Sequence, residues 1–194
     1  MKIVLASNNA KKRKELASIL ATLGIELISS DETIFVDVIE DGETFADNAR
    51  KKAEAFAAAN ELPALADDSG LCVDALDGAP GVYSSRFAGE GASDAQNNDK
   101  LLSDMRGVEN RTAHFVCSLC LIFPDGEPAV TAEGKTDGTI LSDPDGAEGF
   151  GYDPLFFSND LNKSFAASTP EEKANVSHRG RALRIFAKKL QALV

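Results

Sequence analysis

Two adjacent carboxylates, Asp67 and Asp68, end a short apolar run in the segment LPALADDSGLCVD at 62–74 and are followed by Ser69 and Gly70. In an extended backbone, neighbouring side chains leave opposite faces. One carboxylate is then free to act as a base or a cation ligand while its neighbour points away. The run predicts a buried strand over 62–67, and Gly70 predicts a sharp turn after it. Ligands of open α/β sheets sit beyond the carboxyl ends of such strands. For a lone DDSG an acidic turn is the ordinary reading, so the other polar clusters of the chain decide between them.

Ser7, Asn8, Asn9, Ala10, Lys11 and Lys12 lie between a first apolar run and a helical pattern. A strand-to-helix loop presents backbone N–H groups and a helix N-terminus to an anion, and Lys12 adds a full charge. Lys11, Lys12, Arg13 and Lys14 crowd the first turn against the helix dipole, a conflict that a bound anion relieves. Glu40 precedes a helix carrying Arg50, Lys51 and Lys52. With Asp68 it supplies the one or two carboxylates that Mg2+ takes from a protein, leaving phosphate oxygens and waters to complete the octahedron. Phe150, Gly151, Tyr152 and Asp153 form a glycine-flanked loop with aromatic faces on which a base could stack. Lys173, Ser177, His178 and Arg179 are donors suited to a carbonyl edge or a phosphate. Taken singly, each cluster has a bland reading as a capped helix, a surface charge, a core aromatic pair or a solvated helix start.

Other apparent motifs fail on inspection. Gly134, Lys135 and Thr136 imitate the end of a P-loop, but Ala129 stands where its first glycine is needed. Asp143, Asp145 and Gly146 suggest a calcium loop whose closing glutamate position is Pro154. His114, Cys117 and Cys120 have metal-like spacing within THFVCSLCLIF, yet the period of a strand puts Cys117 opposite His114 and Cys120, so the three do not converge. No Gly-x-Ser-x-Gly elbow is present to serve a serine triad.

The elements that position these residues follow from periodicity. Strands are predicted at 2–6, 25–28, 62–67, 112–123, 127–133 and about 135–141, with Pro124, Asp125 and Gly126 as a hairpin turn. Helices are predicted at 12–23, closed by Gly24; from a Thr44 and Asp47 cap to about 60; at 93–105; and at 177–193, preceded by a Thr169 and Pro170 cap. The segment 73–86 reads as turns. Alternating strands and helices predict an α/β fold with a mostly parallel or mixed sheet, and 194 residues with no linker fit one domain, 1–194.

Bulk composition narrows the partners. A formal charge of -11 argues against nucleic-acid and anionic-membrane surfaces, so a polyanionic ligand must be met by local positive charge or a metal. The run KIVLAS after Met1 is too short for a signal peptide or membrane span, and three cysteines suit a reducing compartment; a cytoplasmic location is expected.

The clusters, in type and order, resemble the inosine triphosphate pyrophosphatase family, the XTP/dITP diphosphatases. The segments carrying the resemblance are LASNNAKKRKEL at 5–16, EDGETFADNARKKA at 40–53, ALADDSGL at 64–71, GAPGVYSSRFAG at 78–89, GFGYDPLF at 149–156 and EEKANVSHRGRAL at 171–183. The resemblance implies an elongated mixed sheet flanked by helices, two lobes with the active-site cleft between them, and a homodimer. It implies hydrolysis of inosine, deoxyinosine and xanthosine triphosphates to the monophosphate and pyrophosphate with Mg2+. By position it implies Asp68 as catalytic base and metal ligand and Glu40 as a second metal-associated carboxylate. Phosphate contacts fall to Ser7, Asn8, Asn9, Ala10, Lys11, Lys12, Lys52 and Ser69, and base contacts to Phe150, Gly151, Tyr152, Asp153, Lys173, His178 and Arg179. On the residues alone, Asp67 is expected to raise the Asp68 pKa by like-charge repulsion. Rival expectations are a septum-inhibition-type nucleotide pyrophosphatase with other base preference and a nucleotide sensor without turnover.

Overall fold

In the computed structural model of the chain the described residues are 2–22, 24–29, 31–125 and 129–192. Seven strands, β1 (Lys2–Ala6), β2 (Glu26–Leu27), β3 (Ala64–Val73), β4 (Thr112–Ile122), β5 (Val130–Ile140), β6 (Phe156–Ser158) and β7 (Lys163–Ser164), form one mixed sheet in the order β2-β1-β3-β4-β5-β6-β7. β1 runs parallel to β2 and β3, with Val4 opposite Ala64 and Ala6 opposite Ala66, whereas β6 is antiparallel to β5 and β7. Five helices accompany the strands among the described residues: α1 (Ala10–Thr22), α2 (Phe45–Asn60), α3 (Asp94–Asp104), α4 (Pro170–Val176) and α5 (His178–Gln191).

By internal packing the chain divides into two compact units, one made of Met1–Asp68, Cys117–Gly134 and Arg181–Val194, the other of Ser69–Val116 and Lys135–Gly180. In the first, β1 is covered on both faces. Ile3 and Leu5 join Leu16 and Leu20 of α1 and Leu183 and Phe186 of α5, while Val4 and Ala6 join Ala49, Ala53 and Phe56 of α2. A strand buried on both sides reads as a continuous apolar run, which is why KIVLA shows no alternation. In the second unit, Leu71 and Val73 of β3, Phe115 of β4, Leu101 of α3 and the rings of Tyr152, Phe156 and Phe165 make the core.

Several local signals hold. β1 has the predicted limits, Thr44 caps α2 by accepting from Asp47 N at 3.1 Å, and Gly24 follows α1 with φ 71°. Ser93 opens α3 and Thr169 opens α4, each through a reciprocal capping box with the residue three positions on. The sheet face argument for the cysteines also holds: Cys117 packs with Leu119 and Leu121 on one face, Cys120 with Val4 and Ala66 on the other.

Other expectations need correction. β3 does not end at Asp67 but runs on through Asp68, Ser69 and Gly70 to Val73, so Gly70 is a strand residue and not a turn. Leu71 and Val73 continue the buried alternation beyond the polar residues, and that packing keeps the backbone extended. Likewise the strands expected at 127–133 and 135–141 are one strand, β5, in which every second residue from Val130 to Ile140 is buried. β2 is shorter than its apolar run suggested, and Ser177 caps the end of α4 rather than joining α5. Leu23, Gly126, Glu127, Pro128 and Leu193, on which parts of the helix and hairpin expectations fall, lie outside the described residues.

Candidate active site

In the first unit β3 delivers Asp68 beside α2. Asn48 and Lys52 are one helical turn apart on the stripe of α2 that also buries Ala49, Ala53 and Phe56. Asn48, fully buried, donates from Nδ2 to Asp68 Oδ2 at 3.2 Å and accepts Gly42 N at 2.8 Å. The Lys52 ammonium reaches Asp68 Oδ1 at 3.3 Å and Glu40 Oε2 at 2.9 Å. Asp68, Glu40 and Lys52 therefore converge, with Asn48 fixing the second Asp68 oxygen. Asn48 was not anticipated from the sequence. The available signal was a polar pair at i, i+4 on an otherwise alanine and phenylalanine stripe.

Burial is the main influence on Asp68 and raises its pKa to about 6, against the pull of Lys52 and Lys12 and with help from Glu40. Glu40 is thus one carboxylate that helps to raise Asp68. Strand alternation turns Asp67 away, and its fully buried side chain lies 3.7 Å from the Lys12 ammonium. Burial works to raise the Glu40 carboxyl too, but the charge and hydrogen bond of Lys52 outweigh it and hold Glu40 below its ordinary value. Burial works to lower Lys52, and the fields of Asp68, Asp67 and Glu40 overcome it and keep the ammonium charged.

The loop before α1 differs from the expected open anion site. Asn9 Oδ1 accepts the N–H groups of Lys11 at 3.0 Å and Lys12 at 3.1 Å, so the helix start is capped by its own side chain. Ser7 is buried and its Oγ accepts Asn9 N at 3.3 Å, whereas Asn8, Asn9, Ala10 and Lys11 are exposed. Arg13 turns back to donate to the carbonyls of Leu5 at 3.0 Å and Ser7 at 3.3 Å, and its guanidinium lies 4.8 Å from the Phe35 ring centre. The crowding of cations in this turn is thereby partly relieved within the chain, and Lys12 is the side chain carried toward the carboxylates.

In the second unit Asp153 and Lys173 form a buried ion pair at 2.6 Å, and Asp153 Oδ2 also accepts Phe150 N at 2.9 Å. The Phe150 ring lies 4.9 Å from the Lys173 ammonium and 5.9 Å from the Arg179 guanidinium. Arg179 is 1% exposed and donates from Nη2 to Ser69 Oγ at 2.9 Å. His178 stacks on Phe115 with centroids 4.6 Å apart. Gly151 is tied at both backbone groups, its N–H donating to Asp94 and its carbonyl accepting from Asn98. Tyr152 belongs to the core, and its hydroxyl donates to the Ser84 carbonyl at 2.8 Å. Phe165, whose ring centre is 5.6 Å from Lys173, was not anticipated; nothing in its local sequence distinguishes it from any core phenylalanine.

The chain is similar to known proteins over nearly its whole length. The sequence model of the Ham1 family matches residues 3–189. A dITP/XTP pyrophosphatase of Desulfotalea psychrophila is 52% identical over 182 residues, covering 93% of this chain and 81% of that protein. One of Desulforamulus reducens is 52% identical over 187 residues, covering 95% and 92%. The solved structure of a HAM1 protein from Coxiella burnetii superposes with a TM-score of 0.89 at 39% identity, covering 99% of both chains. On the strength of a match across nearly its whole length, the chain belongs to the Ham1 family.

Proposed function

We propose that the protein hydrolyses deaminated purine nucleoside triphosphates, dITP, XTP and ITP, at the α,β linkage, giving the monophosphate and pyrophosphate. The observation that carries this is the convergence of Asp68 and Glu40 on the Lys52 ammonium. The relatives named dITP/XTP pyrophosphatase supply the substrate class. The 194 residues serve as one catalytic domain, working in the cytoplasm as a homodimer.

The carboxylates suit Mg2+. Among the described residues no group of three or more His, Cys, Asp or Glu side chains forms a ready cage, and Mg2+ does not need one. Asp68 and Glu40 already hold a cation between them, the charged end of Lys52. Asp68 and Glu40 would hold the metal, which would supply charge for the phosphate oxygens and make the attacking water more acidic. Asp68, its orientation set by Asn48, accepts a proton from that water as the water oxygen bonds to phosphorus and pyrophosphate departs. Lys12 and Lys52 meet the negative charge of the triphosphate, with Ser7, Asn8, Asn9, Ala10, Lys11 and Ser69 as further phosphate contacts. Phe150, Gly151, Tyr152, Asp153, Lys173, His178 and Arg179 hold the base. Inosine and xanthosine carry an oxygen at position six where adenine carries an amino group. Arg179, a donor only, rewards the oxygen and leaves the amino group unpaired.

The test is pyrophosphate release from inosine, xanthosine, guanosine and adenosine triphosphates, with Mg2+ and with a chelator. Chelator-sensitive release favouring inosine and xanthosine is expected. Orthophosphate release, or equal rates on adenosine triphosphate, overturns the assignment.

A further inference from the structure

Arg179 is the largest fully buried side chain of the described residues, and its guanidinium ends four rotatable bonds away from a tightly fixed backbone. Gly180 lies against the end of α4, where a Cβ would collide with the Ala174 carbonyl oxygen, and its N–H donates to Ser177 Oγ at 3.1 Å. This fixes the Cα of Arg179, and the orientation of its guanidinium is set by what the side chain meets beyond it. The tip meets Ser69 Oγ at 2.9 Å. A guanidinium has no acceptor, so the serine hydroxyl can only accept here, and its own proton must point away from Arg179.

We propose that Ser69 is a positioning residue for base selectivity: by accepting the Nη2 hydrogen it holds Arg179 in the orientation that reads the purine. This rests on the reading of Arg179 given under Proposed function. It adds to Ser69 a role that a phosphate contact does not include. Ser69 directly follows Asp68 on β3, so one strand carries both the base for the chemistry and the support for the base reader.

The two roles of Ser69 predict different kinetics. Losing a phosphate contact slows every triphosphate alike and leaves the ratio of kcat/KM for inosine over adenosine triphosphate unchanged. Losing the support of Arg179 lowers that ratio. Ser69→Ala is expected to lower it about tenfold, the size of a hydrogen bond to a charged group, and Ser69→Thr, which keeps the hydroxyl, to restore it to within about twofold. Ser69→Ala in an Arg179→Ala background is expected to change the ratio no further. If Ser69→Ala does not fold, Ser69→Cys, of similar volume with a weak acceptor, is measured in its place. A ratio unchanged in the Ser69 variant while Arg179→Ala lowers it overturns the proposal alone, and so does a threonine variant as poor as the alanine one. A ratio unchanged in Arg179→Ala overturns the base-reading role itself and this proposal with it.

Discussion

The charged groups of the two units are balanced in opposite senses. In the first, the contacts named join three carboxylates, Glu40, Asp67 and Asp68, to two cations, Lys12 and Lys52. In the second, Asp153 is set against Lys173, and the Lys173 and Arg179 cations both lie near the Phe150 ring, so that among these groups cations outnumber carboxylates. A carboxylate excess suits a site that takes up a metal with a polyanion, because each added charge finds a partner already present. A cation excess with stacked rings suits a neutral base whose carbonyl oxygens accept. Exposure differs in the same direction. The Glu40 side chain is 35% exposed, whereas those of Asp153 and Lys173 are 4% and 9% exposed. The first cluster meets solvent at Glu40, whereas Asp68 and Lys52, 8% and 10% exposed, are nearly as buried as the pair in the second.

The comparison is most severely strained by removing the charge of Asp68. Asp68→Asn is expected to lower kcat by at least about a thousandfold, the scale of a lost general base, with far-ultraviolet circular dichroism unchanged. Retention of near-normal turnover would remove Asp68 from the mechanism. The same variant is expected to be more stable near pH 8. The folded pKa of Asp68, about 6, lies above its ordinary 3.8, so the native state binds more protons between these values and the carboxylate costs stability as pH rises through them. The rise corresponds to about 3 kcal/mol at most, a net figure that already contains the attraction to Lys52. The gain in Tm shrinks as the pH is lowered through 6 and vanishes below 3.8, where both states carry the proton. A variant less stable than the natural chain at pH 8 contradicts this sign.

In the second unit the equivalent change acts on stability. Asp153→Asn leaves the Lys173 ammonium buried without its charge partner, and urea unfolding is expected to show a loss of about 3 kcal/mol. Asp153→Asn combined with Lys173→Met is expected to recover part of it, because no unpaired charge remains. A single variant within about 0.5 kcal/mol of the natural chain would show the pair to be less isolated from water than its exposure indicates.

Much of this division was legible in the sequence, for reasons that particular residues display. Caps at Thr44 and Thr169 and the run KIVLA are local signals, and local signals survive folding when the core agrees with them. The clusters around Lys12, Glu40, Asp68, Lys173 and Arg179 could be named because charged residues in apolar surroundings are informative. What failed depended on partners distant in the chain. Gly70 and Gly134 look like breaks until their neighbours bury the alternating residues on either side. Glu40 comes to raise Asp68 from across a loop and a helix, an influence that adjacency in the sequence does not display. Asn48 and Phe165 had no local mark of function, since their roles come from what α2 and the end of β7 bring beside them.

A smaller effect separates the clusters through pH. Asp68 must be ionised to accept a proton, so kcat/KM is expected to fall about tenfold per unit below a limb near pH 6 at low divalent cation. Added Mg2+ stabilises the carboxylate and moves the limb to lower pH. The ratio for inosine over adenosine triphosphate should stay constant across that limb, because Arg179 does not titrate there. A flat profile from about pH 5 to 8 would remove Asp68 as the base, and a ratio that tracks the limb would give His178, the imidazole among the base-holding residues, a share of the selectivity.

The mildest change sharpens the boundary of the recognising cluster. Tyr152 follows Phe150 and Gly151 in the loop expected to hold the base, yet its ring packs with Leu155, Phe156 and Phe165 and its hydroxyl donates to the Ser84 carbonyl at 2.8 Å. Burial raises its pKa, so the phenol stays a neutral donor at any working pH. Tyr152→Phe keeps the ring and leaves one partly buried carbonyl without that donor, and the expected cost is about 1 kcal/mol in urea unfolding. If the ring acts on the base only through the rigidity of its loop, selectivity for inosine over adenosine triphosphate moves less than about twofold, far less than in Arg179→Ala. A selectivity loss comparable with Arg179→Ala would extend the recognising cluster to the Tyr152 hydroxyl, and an unchanged stability would show that the Ser84 carbonyl finds water once the phenol is gone.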